Sequence, residues 1–151
     1  MTTDSWVTAR TGVAGFRTEV TAGNHVFVAD EPVSFGGTDD GPTPYDYLLA
    51  SLAACTAMTL RMYAGRKGWP LEEALVRLRN ARSYAADCAN CDAQPVGIRR
   101  LEREIELRGP LTGEQRDRLL AIAERCPVKQ TIERGLKVEA VAAPGSAAAP
   151  G

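Results

Sequence analysis

Pro44-Tyr45-Asp46-Tyr47-Leu48-Leu49-Ala50-Ser51-Leu52-Ala53-Ala54-Cys55-Thr56-Ala57-Met58-Thr59-Leu60-Arg61-Met62-Tyr63-Ala64 is the stretch on which the fold turns. Thr43 before it can accept from the first turn, Pro44 suits the first helical position, and Asp46 stands where a capping-box acid sits. The spacing predicts a helix to about Lys67, where Arg66 and Lys67 meet the negative end of the dipole and Gly68-Trp69-Pro70 stops it. Its apolar residues cover too much of the circumference for a one-sided surface helix, so it is expected at the centre of the core. The uncharged run Tyr47–Leu60 is 14 residues, short of the ~20 that a membrane span needs.

N-terminal to this helix, Trp6–Thr11, Phe16–Ala22 and His25–Ala29 read as antiparallel strands, with Ala22-Gly23-Asn24 as the tightest corner. Residues 35–42 carry three glycines and no period, and are expected to be a loop. C-terminal to it, Val76 and Leu78 suggest a strand. Leu101, Ile105 and Leu107 alternate with Glu102, Glu104 and Glu106 in a second. Thr112 with Gln115 opens another helix by a capping box. On it Leu119, Ile122, Ala123 and Cys126 form the apolar stripe, and Pro127 bends the chain after the cysteine. A last strand is expected around Leu136 and Val138, and residues 142–151 read as a disordered Ala/Pro/Gly tail after a single domain, 1–141.

With 18 basic and 19 acidic residues and a net charge of -1, the chain lacks the basic field that phosphate backbones attract, so nucleic acid is not an expected partner. The N-terminus shows no signal-peptide pattern, which predicts a cytoplasmic protein. Four cysteines in a reducing compartment point to catalysis, metal binding or burial rather than a disulfide scaffold. His25 is the only histidine, which excludes a two-histidine zinc site. Cys88-x-x-Cys91 lies in a polar loop and is a weak zinc half-site that would need His25 with Asp87 or Asp92 to complete it. Periodicity alone makes Cys55 and Cys126 two buried helix cysteines.

The Pro44–Ala64 segment resembles the cysteine helix of the osmotically inducible protein C and organic hydroperoxide resistance (OsmC/Ohr) family. Leu119-Leu120-Ala121-Ile122-Ala123-Glu124-Arg125-Cys126-Pro127-Val128 resembles that family's second cysteine helix and its Cys-Pro step. The likeness runs in order from about Trp6 to Val141. It implies an α+β fold, with antiparallel sheets wrapped around central cysteine-bearing helices in an intertwined homodimer.

The resemblance also implies a thiol peroxidase in oxidative or osmotic stress defence. Cys55 would attack an organic hydroperoxide and become a sulfenic acid, Cys126 would condense with it to a disulfide, and a lipoyl-type dithiol would reduce the pair, with no bound cofactor or metal. The family activates its thiol with an arginine from the N-terminal strands, held by a carboxylate near the start of the cysteine helix. Arg17, with Arg10 behind it, is the candidate arginine, and Asp46 the candidate acid, because Tyr45 occupies the family's acid position. Arg61 lies six places along from Cys55, about 240° around the helix, and so faces elsewhere. Two other functions stay open: a family member that binds a small ligand at the dimer interface without peroxide turnover, and a metal-binding protein organised by Cys88, Cys91 and His25.

Overall fold

The computed structural model describes residues 6–80 and 100–141. Three short strands, β1 (Val7–Thr11), β2 (Thr18–Ala22) and β3 (His25–Ala29), form an antiparallel meander in the order β1-β2-β3. Ala22 pairs with His25, leaving Gly23 and Asn24 as the two-residue turn, and Gly23 takes φ 59°, which glycine adopts without strain. A 3-10 turn, Val33–Phe35, follows. The loop after it folds back onto β3: Asp30 N–H donates to Pro42 O and Asp39 N–H to Glu31 O, both at 3.2 Å. A Cβ on Gly37 would stand 1.8 Å from Glu31 O, so only glycine allows that approach.

Helix α1 (Pro44–Lys67) begins with the expected capping box, Thr43 and Asp46 each accepting from the other's backbone, and ends at Gly68 in the left-handed region. Strands β4 (Glu73–Asn80) and β5 (Leu101–Arg108) form a second antiparallel sheet. Their register puts Val76 opposite Ile105 and Ala74 opposite Leu107. The other face matches Arg77 with Glu104, Arg79 with Glu102 and Glu73 with Arg108, and each of these pairs is an exposed salt bridge. Those charges are the solvated face that the alternation predicted. Helix α2 (Gly113–Ala123) has its own capping box, Thr112 with Gln115, and α3 (Pro127–Arg134) follows after three residues.

The core lies where α1 meets β4, β5 and α2, around Leu60, Ala64, Leu71, Leu107, Leu111, Leu119 and Ala123. From α1 it takes a single stripe, Leu52, Thr56, Leu60 and Ala64, at intervals of four residues. The expectation of an all-round buried helix is therefore corrected for the single chain: Met58 and Met62 stay 63% and 56% exposed. By length and composition alone α1 is also apolar enough to cross a membrane, with mean hydropathy 1.2.

Two further expectations change. Cys126 lies beyond α2 and caps a separate helix, α3, because the proline at 127 starts a new turn. The strand expected at Leu136 and Val138 is irregular chain, with the two side chains 77% and 93% exposed. A strand needs an edge to pair with, and no strand of the same chain, among the described residues, pairs with this segment. The Cys88-x-x-Cys91 loop and the tail from residue 142 lie outside the described residues.

Candidate active site

Cys55 sits in the middle of α1, one position off the buried stripe, and is partly exposed. Cys126 is fully buried and occupies the N-cap of α3, with extended backbone, φ -54° and ψ 123°. The two thiols are free, and each is near enough to the other to influence its ionisation. Two helices that are separate in sequence thus bring together the pair that the sequence singled out.

Their surroundings treat the two sulfurs differently. Burial pushes the Cys55 thiol up, the backbone N–H of Val128 works the other way, and the neighbouring Cys126 pushes it up further. Burial acts on Cys126 in the same upward sense. It is outweighed by the backbone N–H of Lys129, then the Thr56 hydroxyl, the Cys55 thiol and the N–H of Val128, and the net direction is down. The open N–H groups at the start of α3 are what a thiolate at a helix N-terminus uses.

Arg17 does not meet Asp46. Its Nε donates to Asp40 Oδ2 at 3.0 Å on the exposed surface, and it is not among the principal influences on the Cys55 thiol. Asp46 spends its carboxylate on the helix cap, accepting from Thr43 N at 2.9 Å and Thr43 Oγ1 at 2.7 Å. Arg10 lies in β1, paired in register with Glu19. Arg61 turns away as expected and donates to the carbonyls of Leu71 and Glu72.

The acid that holds Arg17, Asp40, was not singled out from sequence, nor was the residue that holds Asp40. That residue is Asp30, whose buried carboxylate accepts from Glu31 N, Thr38 N, Thr38 Oγ1 and Asp40 N. The Thr38 hydroxyl, ahead of the three backbone donors, lowers its pKa from 3.8 to about 2. An acid directly after the apolar strand Val26–Ala29 was the available signal, since a carboxylate at a strand end can be kept only if it is hydrogen-bonded. Among the described residues no group of three or more His, Cys, Asp or Glu side chains could hold a metal, and His25 is exposed at the start of β3.

An antiparallel sheet packed on a long helix, a second sheet tied to that helix's first turns through Tyr47, and one thiol on each of two helix segments define an α+β dithiol protein. The chain belongs to the OsmC family, whose model, described as OsmC-like protein, matches residues 37–141. A search of curated protein sequences gives no match. Among solved structures, the chain is similar to an OsmC-like protein from Mycoplasma pneumoniae at 20% identity and TM-score 0.69, covering 88% of this chain and 89% of that one. It is also similar to an organic hydroperoxide resistance protein OsmC from Legionella pneumophila, at 22% identity, TM-score 0.56 and coverage of 84% and 88%. A third likeness is to an OsmC-like protein of unknown function from Vibrio cholerae, at 12% identity, TM-score 0.61 and coverage of 83% and 92%. At these identities the likeness speaks for the fold.

Proposed function

We propose that the protein is a thiol-dependent peroxidase that reduces organic hydroperoxides, with Cys55 as the attacking and Cys126 as the resolving thiol. The observation that carries this reading is the pairing of a partly exposed thiol on α1 with a fully buried one at the start of α3. A peroxide reaches only the first, and in this reading the second attacks it afterwards. In the first step the Cys55 thiolate attacks the peroxide oxygen, the O–O bond breaks, and the alcohol leaves with a proton. In the second the Cys126 thiolate attacks the Cys55 sulfenic acid, hydroxide leaves and takes a proton to form water, and a disulfide joins the two. An external dithiol of the lipoyl type restores both thiols by exchange. Hydroperoxide resistance in the name of the Legionella relative agrees with this chemistry.

The first step needs a thiolate at Cys55, and its thiol is pushed up by burial. Arg17, held by Asp40, is the activating charge of this proposal and acts in the homodimer. A second reading, ligand binding without turnover, is favoured by the commitment of Asp46 to the cap and by Tyr45 in the family's acid position.

The test is stopped-flow oxidation by cumene hydroperoxide. Wild type should turn over repeatedly with a dithiol present. Cys55→Ser should consume none, because serine is neither ionised nor comparably nucleophilic at neutral pH. Cys126→Ser should consume about one peroxide per chain and stop. Consumption by neither wild type nor Cys126→Ser would favour the ligand-binding reading, and full turnover by both variants while folded would end the peroxidase reading.

A further inference from the structure

Tyr47 and Tyr63 sit on the same helix, α1, and use their hydroxyls in opposite senses. Tyr47 OH donates its proton to Val28 O at 2.5 Å, a bond that only the neutral phenol can make. Tyr63 OH instead accepts from Arg118 Nε at 3.0 Å. A charged donor at the phenol oxygen favours the phenolate. The ring itself lies near two cations, with Lys67 Nζ 5.9 Å and Arg118 Cζ 5.7 Å from its centre.

Packing holds this arrangement in place. Tyr63 meets Trp69 in a T-shaped contact with ring centres 5.6 Å apart, and both rings pack on the core around Leu60 and Leu119. The hydroxyl with its hydrogen bond stays at the surface. Arg17, Arg77, Arg79, Arg103 and Arg108 each give their charge to a carboxylate. Among the described residues neither Lys67 nor Arg118 does so, and their charge remains directed at the phenol and at whatever approaches it. The Tyr63 hydroxyl accordingly ionises more readily than an ordinary tyrosine. The Arg118 hydrogen bond is the first cause, burial opposes it, and the charges of Arg118, Lys67 and Arg125 add to it. No carboxylate is among the principal influences on it.

A phenol is a weak nucleophile at neutral pH because little of it is ionised, and a lowered pKa is one means of activating it. The same cations select the electrophile. They draw an anion toward the phenolate and stabilise a leaving group that departs with negative charge. An acyl phosphate has both properties. We propose that the Tyr63 oxygen is a further nucleophile of this protein, one that takes the acyl group of an acyl phosphate.

In this step the phenolate oxygen attacks the carbonyl carbon and forms an O–C bond. The bond from that carbon to the phosphate oxygen breaks, and phosphate leaves with the electron pair and takes up the proton that the phenol lost. The product is an aryl ester at Tyr63, formed without oxidant or reductant. Tyr63 lies about 12 Å along α1 from Cys55. The step uses neither sulfur, so it is independent of the peroxidase reading.

The experiment treats full-length protein with acetyl phosphate and locates the added acetyl groups by peptide mass analysis before and after hydroxylamine, which cleaves aryl esters and leaves lysine amides intact. Tyr63 should be acetylated faster than Tyr45 or Tyr47 and should lose the acetyl group to hydroxylamine. Arg118→Gln should slow the reaction at Tyr63 about tenfold, the size expected for loss of a hydrogen bond to a charged group, and leave Tyr45 and Tyr47 unchanged. Arg118→Lys should recover part of the rate. Because Arg118 is exposed, both variants should melt with wild type, which separates the effect from unfolding. High salt should slow labelling by acetyl phosphate more than labelling by neutral N-acetylimidazole, since it screens the attraction of the anion. No ester at Tyr63 would overturn the proposal, as would equal rates in wild type and folded Arg118→Gln. Phosphate rather than acetyl on Tyr63 would overturn the acyl assignment, and equal salt effects on the two reagents would overturn the selection of an anion by Lys67 and Arg118.

Discussion

Asp30 shows how one side chain fixes geometry at a distance. Its carboxylate receives four hydrogen bonds from residues 31–40, and the last of them, from Asp40 N, sets the backbone of the residue whose own carboxylate takes Arg17. The folded pKa of about 2 lies below the unfolded value near 3.8. The stabilisation it provides is therefore complete above the unfolded value and is lost as pH falls through 3.8 toward 2. Thermal melts between pH 5 and 2 should show this loss in wild type and a flatter profile in Asp30→Asn, the two converging at the acid end. Parallel profiles would mean that Asp30 does not carry the acid sensitivity. If Arg17 activates Cys55, Asp30→Asn should also move the pH profile of Cys55 alkylation upward, by loosening Asp40.

At the scale of elements, legibility followed how local the signal was. The α1 boundaries were readable because Thr43, Pro44, Asp46 and Gly68 encode its ends within a few residues, and the hairpin at Gly23 and the alternation of β5 are local in the same way. The boundary between Cys126 and α3 was half legible: Pro127 announced a bend, but a proline at a helix start reads the same as one after a helix end. The pairing of Arg17 with Asp40 spans 23 residues and depends on how a glycine-rich loop folds back, which no local pattern records. Asp46 was legible in two roles, cap and catalytic acid, and the structure gives it the cap. Asp46→Asn and Thr43→Ala should each lower stability by about 1 kcal/mol, as cap losses do, while leaving Cys55 alkylation unchanged. Slowed alkylation in Asp46→Asn alone, with Thr43→Ala normal, would return the acid to the active site.

For the whole molecule, what remains is the uncovered side of α1. Ser51, Cys55, Met58 and Met62 follow one another at intervals of four, three and four residues and so share a stripe of the helix. The two methionines on it are more than half exposed, and Leu48 nearby is 38% exposed. Leu136, Val138 and Val141 extend from α3 just as uncovered and, among the described residues, without a strand to pair with. A second copy of the chain would supply cover of matching chemistry for both regions, as the homodimer proposed above requires. Sedimentation equilibrium at micromolar concentration should therefore give twice the 16.2 kDa chain mass. Met58→Glu with Met62→Glu places two like charges one turn apart in the covered face, and should shift the protein to monomer while its circular dichroism stays native, because both side chains are exposed in the single chain. Since Cys55 lies one turn before Met58 on the same stripe, the monomeric variant should also lose activation by Arg17 and alkylate at Cys55 more slowly at a given pH. A wild-type protein that sediments as a monomer would remove the dimer and, with it, the explanation for the open face of α1.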